Sequence, residues 1–534
     1  MYIFRSILFV FFIRIISAQE TIIVEAEKYS KDQQDVSISI TVRNDEFLKE
    51  HAIENIKELF YYVPNYIIKD TTSKRHTFPY MRGIGNGLSD PAVSTIIDGI
   101  PQLCNHTADI ELINIQQIEF LRGPQGTLYG RNTMGGVVII ESKAPSQEWN
   151  SYIKTAFGSY DYFRQSLGSS GPLSENLFIS LNATHYSRDG YVKNTVTGND
   201  IDHEETIYGR LKLDYFTESN WHMQFTMSAQ DDKEGDLTFY DLASLESEPY
   251  ELAHDFEGSY ERQLLSPGFS LQHAGDSIDT TIISSYLKWT GENIGDIDFT
   301  PATIAERKNE ISQEYFYQEL RFNSSEGSDL TLGDTVNMHW LLGTSYFYSH
   351  LVRDFSTEIF VGSPGIELAK YDLDDYAIGL FGQATFKFND EWEIITGLRY
   401  EYEYKKIDLD LSSTAGGTLV DSISEGYSQI LPRLVLNHYA NDDFMTYASI
   451  AKGYRSGGFN RNTTPLGQYV YDEEINWAYE LGFKSSHLDN RLIYNMAIFH
   501  IDISDKQVEV PISGAPGRYY LDNAADAQNQ GVEF

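Results

Sequence analysis

From Trp149 onward the chain is built of segments of about ten residues in which apolar and polar side chains alternate. In "WHMQFTMSAQ" the apolar set is Trp221, Met223, Phe225, Met227 and Ala229, and His222, Gln224, Thr226, Ser228 and Gln230 lie between them. "LFISLNATHY" sets Leu177, Ile179, Leu181 and Ala183 against Ser180, Asn182 and Thr184, and "IYGRLKLDY" sets Ile207, Leu211 and Leu213 against Arg210, Lys212 and Asp214. Period-two alternation gives a strand one apolar and one polar face. A soluble sandwich alternates too, so the connections decide. Short links at 217–220, 275–276, 389–391, 440–443 and 488–490 interleave with long ones near 189–205, 231–265, 291–312, 352–375, 406–428, 453–475 and 504–529. That rhythm predicts an all-β antiparallel transmembrane β-barrel, with short periplasmic turns and long outer loops.

Composition agrees. The 37 Tyr and 30 Phe suit aromatic girdles at the membrane–water interface, with "SYFYSH" and "RYEYEY" as candidates. Asp plus Glu number 78 against 40 Lys plus Arg, a net charge of -38 that repels nucleic acid and predicts no such partner. Cys104 is the single cysteine, so no intramolecular disulfide can form, and a small filler is its expected role. Residues 1–18 read as a signal peptide, with Arg5, an apolar run and a small-residue exit at Ser17-Ala18.

A different unit lies between. Residues 19–35 form a polar lead-in with one β-prone patch, and residues 36–145 read as a compact α+β domain. Ala52, Ile53, Ile56, Leu59, Phe60 and Val63 are spaced as one helix that Pro64 stops. "STIIDGIPQ", "IQQIEFL" and "GGVVIIES" read as strands, the first turning at Asp98-Gly99. The glycines of "IEFLRGPQGTLYGRNTMGGVVIIE" (118–141) suit tight turns and close backbone approach. No Lys stands where a P-loop needs one, and the run after the glycines is β-prone where a P-loop opens a helix, so a phosphate-binding loop is excluded. The absence of a nucleophile elbow or a His-Glu-x-x-His motif argues against the rival reading as a secreted hydrolase.

That glycine stretch, extended to Pro145, resembles the plug signature of the TonB-dependent outer-membrane receptors. "MRGIGNG" (81–87), "IIDGIP" (96–101), "GLRYEYE" (397–403), "GYRSGGFN" (453–460) and "YELGFK" (479–484) support the resemblance. It implies an α+β plug inside a barrel, with 149–534 as the barrel. It also implies a location in the bacterial outer membrane, contact with its lipid, no enzymatic activity and no cofactor. Against the family's 22 strands the alternation gives about 15 to 16, so C-terminal strands are expected to be missing and the barrel to remain unclosed. "ETIIVEA" (Glu20, Thr21, Ile22, Ile23, Val24, Glu25 and Ala26) resembles the box that adds a strand to the energy-transducing TonB protein. Arg82 and Arg122 resemble plug arginines that meet barrel glutamates, for which Glu401 and Glu480 are the candidates. The apex is expected near "QLCNHTAD" (102–109), with Asn105 and His106 facing a small-molecule ligand. The resemblance implies active uptake of a scarce bulky solute, a ferric siderophore being the commonest case, with cobalamin or an oligosaccharide as alternatives. A passive porin or adhesin barrel is the rival from another class. Between Asp231 and Leu265 stand 11 acidic residues against Lys233 and Arg262, an outer loop expected to repel an anionic ligand.

Overall fold

The computed structural model describes residues 22–70, 77–85, 90–102, 104–239, 242–333, 335–362, 364–414, 417–460, 469–512 and 519–534. The signal segment and Glu20 and Thr21 of the box lie outside them.

Two sheets organise the molecule. A 5-stranded sheet runs in the spatial order Ile40–Asn44, Ile115–Arg122, Gly136–Ser142, Val93–Ile97, Ile100–Gln102. The expected turn joins the last two, with Asp98 and Gly99 both at positive φ. Fully buried Ile118, Phe120, Val138 and Ile140 share one apolar core. The single helix expected over 52–63 is instead two short pieces, Asp45–Glu50 and a 3-10 turn Ile56–Tyr61. Ala52 sits at φ 52, and the Asn55 side chain caps the second piece by accepting from the Lys57 backbone N–H. The apolar spacing was real, since Ile53, Ile56, Leu59 and Val63 are all buried.

Around this plug runs a 17-stranded sheet from Asn150–Phe157 to Tyr519–Glu533, each strand pairing antiparallel with its neighbour. One strand, Leu330–Leu332, has three residues, which leaves sixteen long ones, the upper end of the expected count. The sheet curls around the plug: Glu54 of the plug pairs with Lys154 in the first strand, and Arg82 with Glu533 in the last. Among the described residues no ladder joins those two end strands. Alternation holds as predicted. Leu181, Ile207 and Leu398 are half exposed on the outer face, while Asn182, Tyr208 and Arg399 are buried toward the plug.

Several expected long loops are strand instead. The segments near 352–375 and 406–428 continue as paired hairpins, Val336–Ile359 with Gly365–Lys387 and Trp392–Ser413 with Gly417–Asn441. Alternation runs on there, with Leu373, Ile407 and Leu409 buried in one cluster and Asp408 and Asp410 exposed, and outside a bilayer a ladder needs no apolar outer face. The acidic segment 231–265 is likewise shorter as a loop, because its ends belong to strands Trp221–Glu234 and Ser259–His273.

Candidate functional site

Among the described residues, three of the groups of contacts between plug and wall stand out. The first is a buried charge lock. Arg82 stands at φ 52 beside Gly83, where a tight turn aims its guanidinium at the wall. It donates to both carboxylate oxygens of Glu533 at 3.0 and 2.7 Å and lies 2.6 Å from Glu480. Arg122 donates to Glu533 at 3.1 Å and to Ser39 and Thr41 of the plug. Ser39 and Asn65 also donate to Glu533, and Tyr447 to Glu480. The bidentate Arg82–Glu533 geometry is the strongly oriented kind. Two of the expected partners hold. Glu480 meets Arg82, and Arg122 enters the lock, but Arg122 bonds neither Glu480 nor Glu401. Glu401 pairs with Arg399 two residues back on its own strand, where cross-plug reach is unnecessary. Glu533 was missed because one acidic residue in the last strand carries no signal of its position around the wall.

The glycine stretch forms the second contact. The short helix Gly126–Tyr129 lies against the wall, with Thr127 donating to the Leu431 carbonyl. A Cβ at Gly126 would come within 3.1 Å of Leu431 and of the Lys452 carbonyl oxygen, and one at Gly130 within 2.7 Å of the Arg399 guanidinium. Here the glycines let backbone touch wall. Arg131, at the end of this loop, meets Asp90, Asp375 and Glu403, and Lys405 bridges the same carboxylates.

The third is the apex. Asn105–Ala108 forms one short turn of helix, and wall residue Arg262 grips its end by donating to the His106 and Asp109 carbonyls at 2.6 and 2.9 Å. Arg262 is fully buried and paired with Asp232, so it does not sit in the outer loop where the sequence placed it. Beside this helix opens a cleft of about 90 Å³. Asn105 and His106 both line it, together with Cys104, Phe78 and, from the wall, Trp289, Tyr315 and Phe347. The His106 ring packs on Trp289 at 4.7 Å, and Trp289 donates to Gln313. The Asn105 Oδ1 is buried without a hydrogen-bond partner among the described residues. Arg131 and Arg353 also line it, with Asp90 and Asp375, both of which pair with Arg131. Burial raises the Cys104 thiol above its ordinary pKa, which suits a filler and not a nucleophile.

At the opposite end, Ile23–Val24 pairs with Lys31–Asp32 in a hairpin of the chain's own. Val24 and Ala26 are fully buried, and Ile23 is 47% exposed. The Glu25 N–H and the Gln117 amide both donate to Glu119, and Gln117 also reaches the Ile23 carbonyl. Burial pushes the Glu119 carboxyl up to about 8 and Glu141 to about 7, helped by the neighbouring carboxylates.

A family model described as "TonB dependent receptor-like, beta-barrel" matches residues 114–534, and one described as "TonB-dependent Receptor Plug Domain" matches 32–137. The barrel match reaches the last residue, and the expectation that C-terminal strands are missing is not borne out. That expectation weighed strands counted from alternation against a family total. The chain is 25% identical over 533 residues to the "Pesticin receptor" of Yersinia pestis, covering 97% of this chain and 75% of that protein. It is 23% identical to the "Metal-pseudopaline receptor CntO" of Pseudomonas aeruginosa over 79% of this chain and 60% of that one. Among solved structures, the ferric yersiniabactin uptake receptor FyuA from Yersinia pestis superposes with a TM-score of 0.81 at 22% identity, over 93% of this chain and 75% of that chain. The pyoverdine outer membrane receptor FpvA from Pseudomonas aeruginosa PAO1, bound to pyoverdine, gives 0.74 at 16% identity, over 96% and 76%.

Proposed function

The chain belongs to the TonB-dependent receptors of the outer membrane, and from that premise we propose that it takes up a ferric siderophore. The apical cleft carries this reading. It joins aromatic faces (Phe78, Trp289, Tyr315, Phe347) and the polar Asn105 and His106 to Arg353, which bonds Asn309 and Tyr371 and is held by no carboxylate among the described residues, whereas Arg131 is taken up by Asp90 and Asp375 of the same lining. That combination suits a flat-ringed organic complex bearing negative oxygens. At about 90 Å³ the cleft is smaller than the several hundred Å³ of an ordinary ligand pocket. The complex therefore seats one edge in the cleft and leaves its bulk to the outer loops. Relatives named for pesticin, metal-pseudopaline and ferripyoverdine reception point the same way.

Uptake needs a pull from the periplasmic side, supplied by the TonB protein. Strand addition to Ile22–Val24 gives that partner main-chain hydrogen bonds. In this molecule Ile23–Val24 is already paired with Lys31–Asp32, so the partner has to displace the hairpin. One set of backbone hydrogen bonds replaces another, an exchange with a small net free energy.

The test uses whole cells and iron-labelled siderophores of catecholate, hydroxamate and phenolate-thiazoline type, with labelled cobalamin and an oligosaccharide as competitors. One siderophore class is expected to bind and enter. Trp289→Ala is expected to weaken binding about tenfold or more, since aromatic truncation in a well-packed site commonly costs about 2 kcal/mol or above. Ile23→Pro removes a backbone donor; it should abolish uptake and spare surface binding. Cobalamin or sugar uptake in place of iron overturns the substrate, and loss of binding together with uptake in Ile23→Pro overturns the box. Voltage-independent conductance without energy input would favour a passive barrel.

A further inference from the structure

We propose that Asp255, Asp296 and Asp298 form a binding site for a hard divalent cation, calcium by chemistry, that ties the outer loop 235–258 to the neighbouring hairpin. One carboxylate oxygen from each lies within 4.8 Å of the others. Among the described residues none of the three stands in an ion pair with Lys, Arg or His.

The decisive atom is in Asp296. This residue ends strand Ile278–Asp296 and is 3% exposed. Its Oδ1 accepts from the Asp298 and Phe299 backbone N–H groups at 2.9 and 3.1 Å. Its Oδ2 is fully buried and accepts from no N–H or O–H donor among the described residues, facing only the Asp298 carboxylate. A buried carboxylate oxygen with no donor costs several times what a satisfied one does. Next to it lies a second carboxylate, Asp298, whose oxygens accept from Thr300 and Ala305. Two carboxylates face each other stably only with a shared proton or a cation between them. Asp255 makes a third, brought there by its N–H bond to the Thr300 carbonyl at 3.1 Å. Three converging carboxylates on an extracellular surface suit calcium better than magnesium, because calcium accepts irregular oxygen sets and backbone carbonyls. Asp255 and Asp298 are partly exposed, which gives the ion a path in.

The site would act on geometry nearby. Asp255 closes the loop after strand Glu251–Leu252, while Asp296 and Asp298 head the hairpin whose inner part carries Trp289, Ile311 and Gln313 into the cleft. An ion across them orders the rim of the cleft. This holds whatever solute the receptor carries, so its failure would leave the proposed substrate untouched.

The experiment uses the full chain in detergent, stripped with chelator, titrated with calcium by calorimetry and with terbium by luminescence. One saturable site is expected in the range of extracellular calcium modules, about 10⁻⁴ to 10⁻³ M, with magnesium at least tenfold weaker. Asp296→Asn, which keeps shape and removes charge, should weaken calcium at least tenfold. Asp372→Asn, in the exposed His350–Asp372–Asp374 group, should not. Calcium should also slow protease cutting of loop 235–258 in the parent and not in Asp296→Asn. A parent protein with no saturable site, or equal affinity in Asp296→Asn, overturns the proposal and assigns the pair a shared proton.

Discussion

Glu533 is the residue on which the plug–wall boundary turns, because Arg82, Arg122, Ser39 and Asn65 all donate to it. Removing one partner of a buried ion pair leaves the other charge without compensation. Glu533→Gln and Arg122→Gln should therefore each weaken plug retention, and the double variant less than their sum. A coupling of about 0.5–3 kcal/mol is expected from the cycle, read as denaturant-induced protease access to the plug. The parallel cycle of Arg122 with Glu401 should be additive, since Glu401 is held by Arg399. Strict additivity in the Glu533 cycle would mean that Arg122 is anchored by Ser39 and Thr41 alone. At this scale the sequence was half legible. Motif position pointed to Arg82, Arg122 and Glu480, which meet at the plug–wall boundary, and to Asn105 and His106, which line the cleft. Alternation then says which face a glutamate takes and is silent on where around a curled wall that face lands. The same silence hid Trp289, Phe347 and Arg353, which reach one cleft from two strands, Ile278–Asp296 and Val336–Ile359.

Among the elements, the hairpin of Ile23–Val24 with Lys31–Asp32 is expected to couple its docking to protons. Glu119 is buried beneath it, facing Glu25 and Glu141, with Gln117 and Tyr129 beside it, and Arg321 acts on Glu25 and Tyr129. Its docked pKa of about 8 exceeds the ordinary carboxylate value of about 4.3. Docking therefore takes up a proton. The stabilisation is complete below the ordinary value and is lost as pH rises through about 8. A nitroxide on Ile23→Cys, in a Cys104→Ser background, should report a mobile fraction that grows roughly tenfold or more between about pH 5 and pH 8. Glu119→Gln should flatten the profile, and a flat profile in the parent would mean that Glu119 stays covered when the hairpin moves. The patch itself was readable from Ile22, Ile23 and Val24. That it folds back on Lys31–Asp32 was not, because two-residue strands leave no periodic trace. The helix over 52–63 failed in the opposite sense: apolar spacing survived, but Ala52 and Asn55 broke the backbone between its turns.

For the whole molecule, the barrel was the most legible feature, because the bilayer imposes a pattern on every strand at once. Strand Trp392–Ser413 shows how closely. Its outward face carries Trp392, Leu398, Tyr400 and Tyr402, and its inward face Arg399, Glu401, Glu403 and Lys405. Trp392 and Tyr402 are ten residues apart, about 34 Å along a strand. At a tilt near 40° that is roughly 26 Å across the membrane, close to the ~25 Å apolar band between aromatic girdles. Leu398 then lies well inside the band, where it is 56% uncovered by protein and meets lipid. Leu398→Arg should cost about 2–4 kcal/mol when the chain folds into vesicles, whereas Tyr402→Arg, at the girdle, should cost about 0–1 kcal/mol. Reversible urea titration in lipid measures both. Equal penalties would place both residues at the same depth and the girdle elsewhere. The outer hairpins lie beyond the upper girdle, where water satisfies backbone and side chains alike; alternation persists there, with Ile407 and Leu409 buried and Asp408 and Asp410 exposed, but the outward face is charged where a membrane strand needs an apolar one.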